Sequence, residues 1–248
     1  MLNYLSNLTG RDRSERYDEH LAHFLTFIAG SANAGGYMAF KQYTSHMTGI
    51  ASSSADAIAL GNIQTATAGA LAILAFIVGA AISAILVNWG RRKGLHSQFA
   101  FPLLLEALFI GSFGLIGEQL QQINGFVVPI TVVLLCFIMG LQNAMITKLS
   151  GARIRTTHIT GMVTDIGIEL GKLVYVNRSP RIKPPVKADR GKILLLSGLI
   201  LMFFIGGVTG AVGFNQLGYH SALFLAALLL VMAVMPIVKD VVTEGRLW

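Results

Sequence analysis

Six stretches of this 248-residue chain, at about 21–40, 66–88, 98–118, 126–147, 193–214 and 220–238, are apolar over close to 20 residues each. About 20 helical residues span the roughly 30 Å hydrocarbon core of a bilayer. Backbone polar groups in hydrocarbon must be satisfied within the chain, so runs of this length are helices. Charged residues make up only 12% of the sequence, against about 25% in a soluble domain. So little charge cannot cover this much apolar surface, which excludes a water-soluble globule. The net charge of +7 raises nucleic acid as a partner. The basic residues lie in short loops between apolar runs, however, so no nucleic-acid partner is expected. The single cysteine, Cys136, lies within an apolar run and excludes an intrachain disulfide. Arg11, Arg13 and Arg16 before a run containing Ala32-Asn33-Ala34 imitate a secretory signal. The run continues through Met38-Ala39-Phe40, so the segment is read as retained.

The charges orient the helices. With a cytoplasmic N-terminus and six crossings, the inner side receives Arg11, Arg13 and Arg16, then Arg91, Arg92 and Lys93, then Lys148, Arg153 and Arg155. It also receives the run from Lys172 through Arg178, Arg181, Lys183, Lys187, Arg190 and Lys192, and finally Lys239 and Arg246. That is 18 of the 19 Lys and Arg residues, with only Lys41 outside. The positive-inside rule therefore puts both termini in the cytoplasm. Two further stretches, 44–62 and 156–176, are half apolar and half polar. If both crossed, Arg91-Arg92-Lys93 would move outside. We read them as re-entrant or broken segments that return to the side they left, a conformation tolerated where protein or a wet cavity surrounds it. An amphipathic helix lying in the interface is the alternative.

An internal repeat organises the chain. Asn33-Ala34 and Thr44-Ser45-His46-Met47-Thr48-Gly49 in the first half match Asn143-Ala144 and Thr156-Thr157-His158-Ile159-Thr160-Gly161 in the second. Further on, Phe76-Ile77-Val78-Gly79-Ala80 matches Phe203-Phe204-Ile205-Gly206-Gly207. The second spacing is longer by 15 residues, about the length of the basic linker 177–192. Each half holds three spanning helices, so the second enters the membrane inverted. The expected fold is an all-α polytopic membrane protein with six transmembrane helices in a 3+3 inverted repeat, each half carrying a re-entrant or broken helix. Its parts are a cytoplasmic segment 1–19, repeat one at 20–119, repeat two at 120–240 with the basic loop 177–192, and a tail 241–248.

The Ser-His-Met-Thr-Gly block, Gly140-Leu141-Gln142-Asn143-Ala144 and Arg155-Thr156-Thr157-His158-Ile159-Thr160-Gly161 together resemble the bacterial YoaK family over about residues 20–240. The resemblance implies a six-helix protein of the bacterial inner (plasma) membrane, of a group of unassigned function sometimes labelled permeases. It implies no substrate.

The paired blocks are the main candidate site. Thr and Ser cap helix N-termini and glycine allows tight turns, so a short helix follows each block, at about 50–62 and 162–175. Exposed amides at such starts favour an anion. The substrate-binding set is Asn33, His46, Thr48 and Gly49 with Asn143, Thr157, His158, Thr160 and Gly161. His46 and His158 either take part in a proton-coupled step or pin the broken segments. Asn33 and Asn143 either touch substrate or bond the broken helices together. Candidate proton or ion sites are Asp56, Asp165, Glu169 and the intramembrane Glu106. Asp165 and Glu169 share a helix face and have Lys172 or Arg155 as alternative partners. Lys41 steers anions or snorkels, and His20, His23, Trp89 and Trp248 read as interface residues. No third nitrogen or sulfur ligand lies near either histidine, so no metal is expected, and no cofactor.

The expected function is a small-solute transporter with a midplane site between inverted repeats, as in many secondary transporters. An anionic or zwitterionic substrate and proton coupling are expected. A passive channel, and a membrane-embedded enzyme or partner scaffold, are the other readings. The sequence carries no nucleophile–base pair, phosphate loop or metal motif for an enzyme. Six helices make a thin scaffold, so a homodimer in the lipid bilayer is expected.

Overall fold

In the computed structural model, residues 8–10, 14–122, 127–177 and 185–244 are described. They form α1 (Glu15–Phe40), α2 (Met47–Ala59), α3 (Ile63–Arg92), α4 (Ala100–Gln122), α5 (Val127–Leu149), α6 (Ile159–Val174), α7 (Arg190–Leu217) and α8 (Ser221–Lys239), with no strand among them. Four stretches are long and apolar enough to cross a membrane: Ile63–Arg92, Ala100–Gln119, Ile130–Leu149 and Arg190–Val242. The last, 53 residues, folds back at Gly218, whose φ of 60° suits glycine, so it is the α7–α8 hairpin. The expected run 21–40, now α1, is absent from the four. Its buried face carries Thr26, Ser31 and Asn33 as well as Leu21, Leu25 and Ile28. These polar groups lower its apolarity because protein, not lipid, surrounds them. The other helices turn large apolar side chains outward, among them Leu71, Ile85, Leu115, Leu201, Phe204 and Phe224. So wide an apolar surface needs an apolar partner, consistent with a membrane protein.

Side chains and prolines mark the helix starts. Asn62 accepts the Thr65 amide at 3.1 Å to begin α3, and Asp189 accepts the Lys192 amide at 2.9 Å to begin α7. Ahead of α4, the buried Asp240 takes the amides of His96 at 3.0 Å and Ser97 at 2.8 Å, tying the end of α8 to the α3–α4 turn.

Glycine sets the packing. Four long helices carry the same four-residue signature: Phe27–Gly30 on α1, Phe76–Gly79 on α3, Phe137–Gly140 on α5 and Phe203–Gly206 on α7. A Cβ on Gly30 would overlap the Phe203 carbonyl oxygen, and one on Gly206 the Phe27 carbonyl oxygen. The same reciprocal pair joins Gly79 to the Phe137 carbonyl and Gly140 to the Phe76 carbonyl. Each glycine thus admits its partner's backbone, the small-residue mode of helix association in an apolar medium. Higher up α1, Gly35 meets Phe214, and lower down His23 meets Gly198, so α1 and α7 run parallel. Lys148 reaches Asn88 at 3.1 Å, which makes α3 and α5 parallel as well. α4 packs on α8 in the opposite sense, with Gly111 beside Ala226 and Gly117 beside Tyr219.

The two short helices follow matched paths. α2 lies along the first turns of α3: Ile50 clusters with Ala72, and Ser54 fills the space at Gly69. Ala72 is nine residues inside α3, so α2 starts roughly 15 Å below that helix end at 1.5 Å per residue. α6 lies along the start of α7, with Asp165 on Lys192 at 3.2 Å. Both begin three residues ahead of the expected starts at 50 and 162, directly after the histidines.

Of the segment 1–19, expected at the cytoplasmic surface, residues 8–10 are packed into the body, while Ser14, Glu15 and Arg16 are exposed. Leu8 and Thr9 are buried, Thr9 donates to the Met232 carbonyl at 3.2 Å, and α1 already begins at Glu15. Leu8 is apolar and has a closed core to enter. Arg11, Arg13, Arg178, Arg181, Lys183, Arg246 and Trp248 lie outside the described residues.

The glycine contacts make a stability prediction. Overpacking a tight core costs about 1–3 kcal/mol, sometimes more. Gly206→Leu and Gly140→Leu should each lower the melting temperature of the purified protein clearly. Gly167→Ala, inside α6 where nothing lies within 4 Å of an added Cβ, should keep or slightly raise it, since alanine favours a helix interior over glycine.

Candidate functional site

The chain breaks directly after α1 and α5, and an asparagine holds each break. Asn33 Oδ1 accepts both the Ser45 amide at 3.1 Å and the Ser45 hydroxyl at 2.9 Å. Asn143 Oδ1 accepts the Thr157 hydroxyl at 2.8 Å, while its Nδ2 donates to the Met139 carbonyl at 2.8 Å. Ser45 and Thr157 occupy the same place in the two repeated blocks. Because Leu135 packs at Gly36, and α5 runs against α1, Gly30 lies opposite about Leu141. Asn33 and Asn143 then fall on either side of that level, each within about one turn, ~5 Å. Both breaks are therefore anchored close to mid-height of the bundle.

The histidines sit at the two starts. His46 precedes α2 and His158 precedes α6, both exposed. Each ring folds over the first helical turn, and an added Cβ on Gly49 or Gly161 would overlap it. This explains the His-x-x-Gly spacing without any ligand. His158 Nδ1 lies 3.3 Å from the Arg155 guanidinium. Thr160 and Gly161 line a cleft of about 480 Å³ with His158, Arg153, Arg155 and Asp165. No residue of the first block lines that cleft, so His46, Thr48 and Gly49 are not brought together with their counterparts there.

The four candidate acids separate. Asp56 is exposed on α2. Asp165 pairs with Lys192, and Glu169 with Lys172 at 2.8 Å. Glu169 also accepts the Asp189 amide at 2.9 Å, holding the approach to α7. That amide and the Lys172 ammonium keep its carboxyl below the usual carboxylate range. Glu169 is buried at 3% exposure, and Glu106, within α4, is buried at 1%, with Gln142 Nε2 donating to its Oε1 at 2.9 Å. Gln142 Oε1 in turn accepts from the buried Thr156 hydroxyl at 3.5 Å. Sequence reasoning missed Gln142, Thr156 and Ser45 as partners. The available signal was a glutamine inside an apolar run, one position before Asn143.

His23 Nδ1 donates to the Glu19 carbonyl, 2.6 Å away, and Trp89 meets Phe101 edge to face at 5.2 Å. Arg153 bridges to Glu15 at 3.4 Å. Among the described residues no cluster of three His, Cys, Asp or Glu side chains could hold a metal.

The model of a family described as protein of unknown function, DUF1275, matches residues 21–235. The chain belongs to the DUF1275 family. That family includes YoaK-like membrane proteins. The matched span of the DUF1275 chain takes in both asparagine anchors, both histidine blocks and Glu106. No curated protein and no solved structure matches it.

The Glu169 contacts predict a pH dependence. A carboxyl whose value is lowered by folding contributes stability above its unfolded value, near 4.5, and loses it as pH falls through the folded value. Protection of the Asp189 amide, relative to its intrinsic exchange rate at each pH, should therefore fall below about pH 4.5. In Glu169→Gln it should be lower at neutral pH and insensitive to acid.

Proposed function

We propose that this protein is a small-solute transporter of the bacterial inner membrane, close in kind to the YoaK proteins within its family. In this reading α1, α3, α4, α5, α7 and α8 cross the bilayer, both ends face the cytoplasm, and the two halves are inverted repeats. The broken segments α2 and α6 enter from opposite faces. The observation that carries the reading is the matched pair of breaks: Asn33 with Ser45 and Asn143 with Thr157, each at mid-height. Inverted repeats with discontinuous helices near the midplane are the recurring design of secondary transporters.

The substrate is a carboxylate or zwitterion. Support comes from the cleft at His158, where the amide end of α6 meets Arg153 and Arg155. Asn33, His46, Thr48 and Gly49 form the corresponding surface of the other half, reached when the bundle opens to the opposite side. A second copy of the chain covers part of the apolar surface.

Purified protein in liposomes, offered a panel of labelled carboxylates and amino acids, should show saturable uptake with counterflow. Arg155→Ala and His158→Ala should each reduce it at least tenfold. Uptake at the wild-type rate in both variants would remove the assigned site, and unsaturable flux would favour a channel.

A further inference from the structure

Glu106, buried within α4, is wired to one break and not to the other. Glu106 Oε1 takes Gln142 Nε2 at 2.9 Å, and Gln142 Oε1 takes the Thr156 hydroxyl at 3.5 Å. All three residues are buried, and Glu106 Oε2 has no hydrogen-bond partner. Thr156 is the residue before Thr157, which Asn143 holds, and two before His158 at the start of α6. The first half lacks this wire. Ala32 stands in the place of Gln142, one before the asparagine, and the Thr44 hydroxyl, counterpart of Thr156, is buried with no partner.

We propose that Glu106 is a proton-binding site whose state is transmitted to the second break through Gln142 and Thr156. The ligand is a proton because it alone removes a buried carboxylate's charge without needing a ligand shell. The facing elements bring no opposite charge. Residues 63–90 of α3 and 221–238 of α8 contain no charged or titratable side chain. α5 offers Cys136 and, at its end, Lys148 bonded to Asn88. Tyr219 packs at the far end of α4 near Gly117, the neighbouring His220 is exposed, and Asp240 is held by amides at the start of α4.

Hydrogen-bond direction carries the signal. An ionised Glu106 only accepts, so the Gln142 amide nitrogen faces it and the Gln142 oxygen faces Thr156, whose hydroxyl donates. With the proton on Glu106 Oε1, the new O–H donates to the Gln142 oxygen, which takes the place of the amide nitrogen. The amide turns over, its nitrogen now faces Thr156, and Thr156 becomes an acceptor. One O–H bond forms at Glu106, and the donor order of the wire reverses as far as the residue beside Thr157. Gln142 and Thr156 are positioning residues. As a coupling device the site rests on the transporter reading, but its titration is measured without transport.

The test uses infrared spectroscopy and amide hydrogen exchange on the purified full-length protein across pH, both in a His158→Gln background so that no imidazole lies within residues 155–161. The carbonyl band of a protonated carboxyl should titrate, vanish in Glu106→Gln and return, shifted, in Glu106→Asp. Protection at residues 155–161, the exchange rate relative to the intrinsic rate at each pH, should change over the same pH range as the band. In Gln142→Met and Thr156→Val the band should remain while protection at 155–161 loses its pH dependence. A pH-dependent protection of 155–161 that persists in a folded Glu106→Gln protein, or in both relay variants, would overturn the proposal. Loss of the band on adding sodium at constant pH would also overturn it, by making the site a cation site. Failure of uptake by the wild-type protein in liposomes, with these shifts intact, would count against the transporter reading alone.

Discussion

Backbone contact through glycine is the constraint on which the rest of the structure depends. In an apolar medium helices gain little from hiding apolar side chains, so they associate by close packing and by polar contacts. Here Gly30, Gly79, Gly140 and Gly206 each receive a carbonyl from the partner helix, and the four contacts form two reciprocal sets. The sets cross between halves: the first helix of each half packs on the second long helix of the other. α4 and α8 close the bundle behind them.

That crossed packing explains where the breaks lie. With α1 locked to α7 and α5 locked to α3, the segments that follow α1 and α5 fold back along α3 and α7 respectively. An asparagine amide secures each turn, and each histidine ring lies over a glycine at the first turn beyond. The arrangement is repeated, but its chemistry is not. Only the second half joins its break to a buried acid, and only its break opens on a cleft with two arginines. A repeat that keeps its packing residues and varies its polar ones is free to assign different tasks to its two halves.

Much of the fold was legible because its signals are local. Apolar length marked the long helices, and the Thr-(Ser/Thr)-His-x-Thr-Gly blocks marked both breaks within three residues. Phe76–Gly79 and Phe203–Gly206 were visible as a repeat. Their partners Phe27–Gly30 and Phe137–Gly140 were not, since nothing in one sequence says that two short signatures at different positions will meet. α1 shows the opposite difficulty. Its serine, threonine and asparagine make it look less membrane-like than its neighbours, and only its buried position explains them. The Glu106–Gln142–Thr156 wire joins residues 36 and 14 positions apart. Charge and burial could nominate Glu106, but only packing could name its partners.

The claim on which the functional account rests is that the two halves enter the membrane in opposite directions. Cysteine accessibility in intact cells tests it directly, since Cys136 is the sole native cysteine, is buried, and can be replaced by alanine. In that background Lys41→Cys should react with an impermeant maleimide added outside, whereas Lys93→Cys and Lys187→Cys should react only after the cells are opened. Labelling of Lys41→Cys and Lys93→Cys from the same side would contradict the inverted arrangement.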